Sequence, residues 1–172
     1  QVAHIVLPTH LTTHKLCMAI NGNLKKDVHL LSVDEVDDDF HARYSAKSRE
    51  YEYHLAKYFS PITRFYAAEL KWNINLKILN DISSILIGQH DFNFFCKATA
   101  EVDNKICTIY NVNWVDKGDK YVFTIRANRF LQHMVRYLVG TMIEVARDKY
   151  KFKDFINLLK CKQTESTVVK AP

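Results

Sequence analysis

The stretch that decides the fold runs from Asn128 to Asp148 and reads NRFLQHMVRYLVGTMIEVARD. Its apolar residues leave almost no polar face, which predicts a buried helix of roughly five turns at 3.6 residues per turn. Arg136 interrupts this pattern. A buried guanidinium needs a carboxylate or phosphate partner, unless its stem runs along the helix and its charged end reaches water. Gly140 follows one turn later. Glycine costs about 1 kcal/mol relative to alanine inside a helix, so another backbone is expected to pack closely against it.

The remaining periodicities predict an α+β fold, with a mostly antiparallel sheet and helices packed on one of its faces. Alternating or apolar runs predict strands at residues 1–7, 27–33, 48–56, 106–116 and 120–127. The last two strands form a hairpin turned at Lys117-Gly118-Asp119. Helices are predicted from Thr12 or Thr13 to Asn21-Gly22, over 75–87, and over 151–159.

Composition narrows the classes of protein this chain can belong to. It has 172 residues with 24 Lys and Arg against 19 Asp and Glu, and this net charge of +5 suits a polyanionic partner. Four cysteines without Cys-x-x-Cys spacing predict reduced thiols in a cytoplasmic protein. No apolar run approaches the roughly 20 residues that cross a bilayer, so no membrane partner is expected. The acidic run 34–39 lacks metal-ligand spacing, so no metal site is expected there.

Five stretches, in chain order, resemble the TruA family of tRNA pseudouridine synthases. They lie at residues 21–27, 38–43, 48–53, 90–95 and 130–140. The resemblance spans nearly the whole chain and implies an isomerase that converts uridine to pseudouridine in the anticodon arm of tRNA. It also implies a cytoplasmic homodimer that uses neither a metal nor an organic cofactor. Residues 1–45 would then end the N-terminal half of the catalytic core, and 46–172 would form its C-terminal half, with both chain ends cut.

The same resemblance carries over two catalytic positions. Tyr51 matches a tyrosine that contacts the flipped uracil and is a candidate for handling the C5 proton, although a packed strand tyrosine would give the same pattern. Arg136 matches the arginine that pairs with the nucleophilic aspartate. That aspartate lies in a Gly-Arg-Thr-Asp-type loop, which is expected upstream of Gln1, so the fragment itself is expected to be inactive. None of the aspartates considered matches that loop: Asp27, Asp37, Asp38, Asp39 and Asp91.

Candidate RNA contacts fall into two groups. His41, Arg43, Lys47 and Arg49 lead into the strand that carries Tyr51. The second group surrounds the predicted start of the long helix, where backbone N–H groups and basic side chains favour phosphate, and comprises Arg126, Asn128, Arg129, Phe130, Gln132 and His133. Phe130 could stack on a base or belong to the core. Cys107 and Thr108 stand where many relatives carry Arg-Thr, which removes an RNA contact or an internal ion pair.

Two other interpretations remain open at this stage. In one, the chain is a non-catalytic RNA-binding module that uses the basic surface without the chemistry. In the other, it is a structural or dimerisation domain in which Arg136 anchors an ion pair. An upstream Gly-Arg-Thr-Asp loop would separate the catalytic interpretation from both of these alternatives. Salt-dependent tRNA binding would separate the RNA-binding module from the structural or dimerisation domain.

Overall fold

The structure is a computed structural model that describes residues 1–97, 104–162 and 164–172. The chain divides into two compact units, Gln1–Lys47 and Ser48–Pro172.

Unit Gln1–Lys47 contains one helix, α1 (Thr13–Asn23). Thr12 caps it, accepting a hydrogen bond from Lys15 N at 3.4 Å, as the sequence predicted. The strands predicted at residues 1–7 and 27–33 are wrong, since neither segment pairs with a neighbouring strand within this unit. Leu30 is instead held by the Asn21 side chain, which accepts from its N–H at 2.8 Å and donates to its carbonyl at 2.9 Å. Alternation can suggest a strand, but only a partner strand completes one.

Unit Ser48–Pro172 is built on a five-stranded, mostly antiparallel sheet, which confirms the predicted fold class. Its strands lie side by side in the order β2-β1-β5-β4-β3, and only the β1–β2 pair is parallel. Their bounds are β1 (Arg49–Ala56), β2 (Ala68–Glu69), β3 (Gly88–Asp91), β4 (Ile106–Asp116) and β5 (Lys120–Ala127). The β4–β5 hairpin has the predicted bounds, and Gly118 takes a φ of +86° in its turn. The two short strands β2 and β3 were not predicted.

Three helices complete this unit: α2 (Leu76–Leu86), α3 (Met134–Ala146) and α4 (Phe152–Leu159). The predictions for α2 and α4 are confirmed to within one residue at each end. Asn75 caps α2 by accepting from Lys77 N and Ile78 N. The core joins the helices to one face of the sheet through fully buried side chains that include Leu79, Ile82, Phe123, Ile125, Leu138 and Phe155. Within the described part of the chain, no helix combines the length and apolar character needed to span a membrane.

The prediction of a five-turn helix from Asn128 is wrong, because α3 begins only at Met134. Strand β5 runs to Ala127, and the Asn128 side-chain oxygen accepts from Thr108 N at 2.9 Å and Arg129 N at 2.8 Å. These bonds tie the chain to β4 where the helix was expected to start. His133, immediately before α3, is left-handed with φ of 64°, so residues 128–133 form a connecting loop rather than helix.

Gly140 confirms the expectation of a close backbone approach. A β-carbon built on it would lie 2.2 Å from the Val169 carbonyl oxygen and 2.7 Å from Ala171 N. The segment that approaches α3 is Val168–Pro172, called the C-terminal segment below. Thr141 Oγ1 accepts from Val169 N at 3.0 Å, and Ala171 N donates to the Arg136 carbonyl at 3.0 Å. This segment therefore lies directly on the helix surface that carries Arg136.

Candidate active site

Strand β1 places two tyrosines on the helix-covered face of the sheet. Tyr51, Tyr53 and Leu55 alternate along the strand and share that face. Leu55 is buried, Tyr53 is half-buried and Tyr51 is 51% exposed, so β1 leads from the core to an open surface. At the open end, the Phe130 ring meets Tyr51 edge-on, with the ring centroids 5.0 Å apart. Phe130 is itself half-buried and packs against the core, and its ring also contacts Tyr51 at the open surface. It therefore has features of both alternatives, a core residue and an aromatic residue available to a base.

The loop that carries Phe130 is fixed to the sheet from two sides. Arg49 donates from Nη1 to the Asn128 carbonyl at 2.8 Å, joining β1 to the loop. The side chain of Asn128 joins the loop to β4 through Thr108 N. Arg49 and Asn128 were predicted to contact RNA, and here both support the loop beside Tyr51. Their bonds keep Phe130 against Tyr51 by holding its neighbours in place.

Arg126 and Arg129 lie apart from one another. Arg126 is opposite Glu50 in the β1–β5 ladder, so it projects from the sheet face opposite Tyr51, and its Nε donates to Ser48 Oγ at 3.1 Å. Arg129 is half-buried and donates from Nη2 to the Asn104 carbonyl. The two arginines thus bond to different parts of the unit, Ser48 and Asn104, which the helical assumption for residues 128–133 did not foresee.

Gln132 and His133 close the loop beside α3. Gln132 is exposed, and its carbonyl accepts from Lys97 N at 3.1 Å. Partial removal from water lowers the pKa of His133, and the cations Lys170, Arg136 and Lys97 lower it further. The imidazole is therefore biased toward its neutral form, and the charges of three cationic side chains act on it. Such a concentration of positive charge favours an anionic ligand.

Arg136 is half-buried on α3, and its observed partner is a carbonyl. Its Nε donates to the Ala171 carbonyl at 2.9 Å. Among residues 1–97, 104–162 and 164–172, it forms no ion pair with a carboxylate. The two readings weighed from the sequence were an anionic partner and a stem reaching water. A backbone carbonyl was not considered, because it lies 35 residues further along the chain.

Tyr53 is a site residue that the sequence analysis passed over. Its hydroxyl donates to the Pro172 carbonyl at 2.8 Å. Burial raises the pKa of Tyr53, and the nearby Arg136 charge opposes that shift. Tyr53 thus shares a strand face with Tyr51 and lies close enough to Arg136 on α3 to be affected by its charge. Because side chains alternate along a strand, Tyr51 and Tyr53 share one face, and that was the available signal.

Three predicted RNA contacts belong to unit Gln1–Lys47. The His41 ring stacks against His4 and Tyr44, with centroid distances of 4.4 and 4.3 Å. Its Nδ1 accepts from the backbone N–H of Arg43 at 3.2 Å, which leaves Nε2 to carry the proton of the neutral ring. The Arg43 guanidinium lies over the Tyr44 ring, and Lys47 is exposed. These residues form a basic and aromatic surface within their own unit.

The described residues of both units lack a clustered metal-ligand set. No group of three or more His, Cys, Asp or Glu side chains with metal-site geometry occurs in the part of the chain that the structure describes. The buried carboxylate in α3, Glu144, is paired instead with Arg147 at 2.8 Å and Lys149 at 3.3 Å. Arg147 also stacks over the Trp72 ring. This cluster is a structural ion-pair network at the C-terminal end of α3.

The class of protein that the fold defines is an α+β protein with a mostly antiparallel sheet, and comparison with known proteins specifies the family. A family profile described as tRNA pseudouridine synthase matches residues 82–172. A tRNA pseudouridine synthase A from an Exiguobacterium species is 36% identical over 172 residues, covering 100% of this chain and 70% of the relative. The proteins of the same name from Bacillus pumilus and Chlorobium limicola are 33% and 36% identical, covering 100% and 92% of this chain and 70% and 65% of the relatives. The chain belongs to the tRNA pseudouridine synthase family, a family of isomerases.

Proposed function

We propose that this chain supplies the base-handling surface of a tRNA pseudouridine synthase. The observation that carries the proposal is the contact of Tyr51 with Phe130 at the open end of β1, a strand whose Tyr53 lies close enough to Arg136 for that charge to lower its pKa. Pseudouridine formation breaks the bond between uracil N1 and the ribose, rotates the base and rejoins it through C5, which then loses its proton. A flipped base needs an aromatic surface to rest on, and Tyr51 with Phe130 presents one. The Tyr51 hydroxyl is the candidate for handling the C5 proton.

Arg136 is proposed to hold the nucleophilic aspartate. A guanidinium beside a carboxylate keeps that carboxylate ionised and fixes its direction. No such carboxylate pairs with Arg136 among the described residues, and no Gly-Arg-Thr-Asp loop occurs in the 172 residues. We therefore propose that the nucleophile lies upstream of Gln1 and that the 172 residues alone form no pseudouridine. No metal or organic cofactor takes part in this scheme.

The RNA partner is proposed to be the anticodon arm of tRNA, bound in the cytoplasm. The net charge of +5 supports a polyanionic ligand, and the cationic charges that act on His133 support its binding near that residue. His41, Arg43 and Lys47 offer a second basic surface on unit Gln1–Lys47. All four cysteines are free, consistent with a reducing compartment.

The active protein is proposed to be a homodimer. Residues 58–66 carry large apolar side chains that are mostly exposed within the chain, including Tyr58 at 62%, Ile62 at 86%, Phe65 at 78% and Tyr66 at 81%. Apolar clusters of this kind are characteristic of interaction surfaces. A second copy of the chain is the occupant that the family resemblance implies.

The proposal is tested by mapping modification on transcribed tRNA. The extended protein, meaning this chain preceded by the coding sequence upstream of Gln1, should introduce pseudouridine into the anticodon arm. A transcript whose anticodon-arm uridines are replaced by cytidine serves as the matched control and should remain unmodified. Modification confined to another arm would refute the anticodon-arm proposal, and none in any arm would refute the activity.

A binding experiment distinguishes the catalytic reading from the other two. The 172-residue chain should bind tRNA weakly, with an affinity that falls as salt rises, because phosphate neutralisation releases counterions. Salt-dependent binding together with an inactive extended protein would favour the RNA-binding module. Affinity that does not change with salt would favour a structural domain.

A further inference from the structure

We infer that the C-terminal segment is a positioning element for Arg136 and that Thr141 anchors it. This inference rests on the proposed function for its catalytic consequence. Its structural part stands on contacts within unit Ser48–Pro172. Three elements meet there: the N-terminal half of α3, strand β1 and residues Val168–Pro172.

Two hydrogen bonds pair the segment with Arg136 itself. The Arg136 carbonyl accepts from Ala171 N at 3.0 Å, and the Arg136 Nε donates to the Ala171 carbonyl at 2.9 Å. One residue therefore holds both the backbone and the side chain of Arg136. A long, flexible side chain is confined by this pairing to a small range of directions.

The Arg136 guanidinium bonds to Ala171 through Nε, and this choice of donor decides which edge of the group remains available to another ligand. The group is planar and presents donors on two edges, and one edge includes Nε. The paired terminal nitrogens Nη1 and Nη2, which grip a carboxylate in a bidentate manner, have no partner among the described residues. The carbonyl of Ala171 thus orients the arginine without occupying the edge proposed to bind the nucleophile.

Thr141 and Gly140 fix the segment against α3. Thr141 is fully buried, donates to the Tyr137 carbonyl at 2.8 Å and accepts from Val169 N at 3.0 Å. Gly140 provides the space, since any β-carbon there would overlap the Val169 carbonyl. The hydroxyl of Thr141 sets the position of Val169, and Val169 sets the position of Ala171 two residues later.

Tyr53 connects the C-terminal segment to the sheet. Its hydroxyl donates to the Pro172 carbonyl at 2.8 Å, immediately after the residue that holds Arg136. The segment therefore links the strand bearing Tyr51 to the helix bearing Arg136. A shift of the segment would move both groups relative to one another.

The inference is tested in the 172-residue chain by NMR hydrogen exchange at the Arg136 Nε–H. In the wild type this proton should exchange slowly. Thr141→Val keeps the shape of the side chain but removes the acceptor for Val169 N, so exchange should accelerate at least about tenfold. Thr141→Ser restores the hydroxyl and should restore slow exchange.

A matched control separates positioning from a general loss of stability. Ser83 is a buried hydroxyl in α2 whose partner among the described residues is the Leu79 carbonyl of its own helix. Ser83→Ala should leave Arg136 Nε–H exchange at the wild-type rate. Unchanged exchange in Thr141→Val, or equal acceleration in both variants, would overturn the positioning role.

The catalytic consequence is read in the extended protein. A misdirected Arg136 stabilises the ionised nucleophile less, so the acidic limb of the pH profile of kcat/KM should move to higher pH in Thr141→Val and return in Thr141→Ser. An unmoved limb would overturn the catalytic part of the inference. If exchange accelerates as expected but wild-type extended protein makes no pseudouridine, the proposed function fails while the structural anchoring of Arg136 stands.

Discussion

Replacing Gly140 with alanine should destabilise the protein, although alanine is the better helix former. The added β-carbon would lie 2.2 Å from the Val169 carbonyl oxygen, 2.7 Å from Ala171 N and 2.8 Å from the Val169 carbonyl carbon. All three are backbone atoms, so no side-chain rotation can relieve the overlap. The C-terminal segment must move away from α3.

The magnitude follows from the three hydrogen bonds between the C-terminal segment and α3, which the displacement breaks. Two are uncharged, from Val169 N to Thr141 and from Ala171 N to the Arg136 carbonyl. Each contributes about 1 kcal/mol, and the charged bond from half-buried Arg136 contributes about 1.5 kcal/mol. The gain in helix propensity offsets about 1 kcal/mol of this loss. The free energy of unfolding should therefore fall by about 2–3 kcal/mol.

Urea denaturation of the two proteins, monitored by circular dichroism, measures this difference. Gly22→Ala is the matched control, because Gly22 is also helical but a β-carbon there meets no atom within 4 Å. That variant should be neutral or slightly stabilised. A Gly140→Ala protein that behaves like Gly22→Ala would show that the segment does not rest on α3.

Three further outcomes are expected. Tyr51→Phe in the extended protein should lower turnover by about 10²-fold or more with tRNA affinity little changed, and near-normal turnover would leave Tyr51 a packing residue. NMR titration should place the pKa of His133 below its ordinary value of 6.5, and Lys170→Met should raise it whereas Lys153→Met on α4 should not. Because that pKa is lowered by folding, the stabilising effect of neutral His133 should be lost as pH falls below about 6.5. A pKa unmoved by Lys170→Met would contradict the contribution assigned to the Lys170 charge. Light scattering should show a dimer that Phe65→Asp converts to monomer, and a concentration-independent monomer in the wild type would refute the dimer.

Local signals account for the elements that the sequence predicted correctly. The β4–β5 hairpin combines alternation with a glycine at the turn, and Gly118 takes the positive φ that such turns require. Helix α2 follows from its amphipathic period and the Asn75 cap. In both elements, the deciding contacts lie within a few residues of one another. Sequence patterns are most informative at that range.

The start of α3 was misplaced because apolar content does not specify backbone direction. Phe130, Leu131 and Met134 fit a helical stripe, yet the Asn128 side chain bonds to Thr108 on β4 and holds the preceding residues to the sheet. That partner is 20 residues away, and no local pattern reveals it. The left-handed backbone conformation of His133 adds a turn, and the residue type alone did not predict that conformation.

The candidate site was predictable as a set of residues but not as an arrangement. Tyr51 and Arg136 came from motif resemblance, and the structure adds Tyr53, whose hydroxyl bonds to the C-terminal segment that also holds Arg136. The C-terminal segment was foreseen only through Gly140, which indicated close packing without naming its partner. Long-range backbone contacts decide which edge of Arg136 is available, and these depend on tertiary packing rather than on sequence period.

The claim that Arg136 holds a nucleophile from outside the 172 residues is tested most directly by tritium release from tRNA labelled at uridine C5. The extended protein should release tritium, and the 172-residue chain should release none. Extended Arg136→Lys keeps the charge but loses the paired terminal nitrogens, so its release should be at least about 10²-fold slower. Release by the 172-residue chain, or full-rate release by extended Arg136→Lys, would contradict the account.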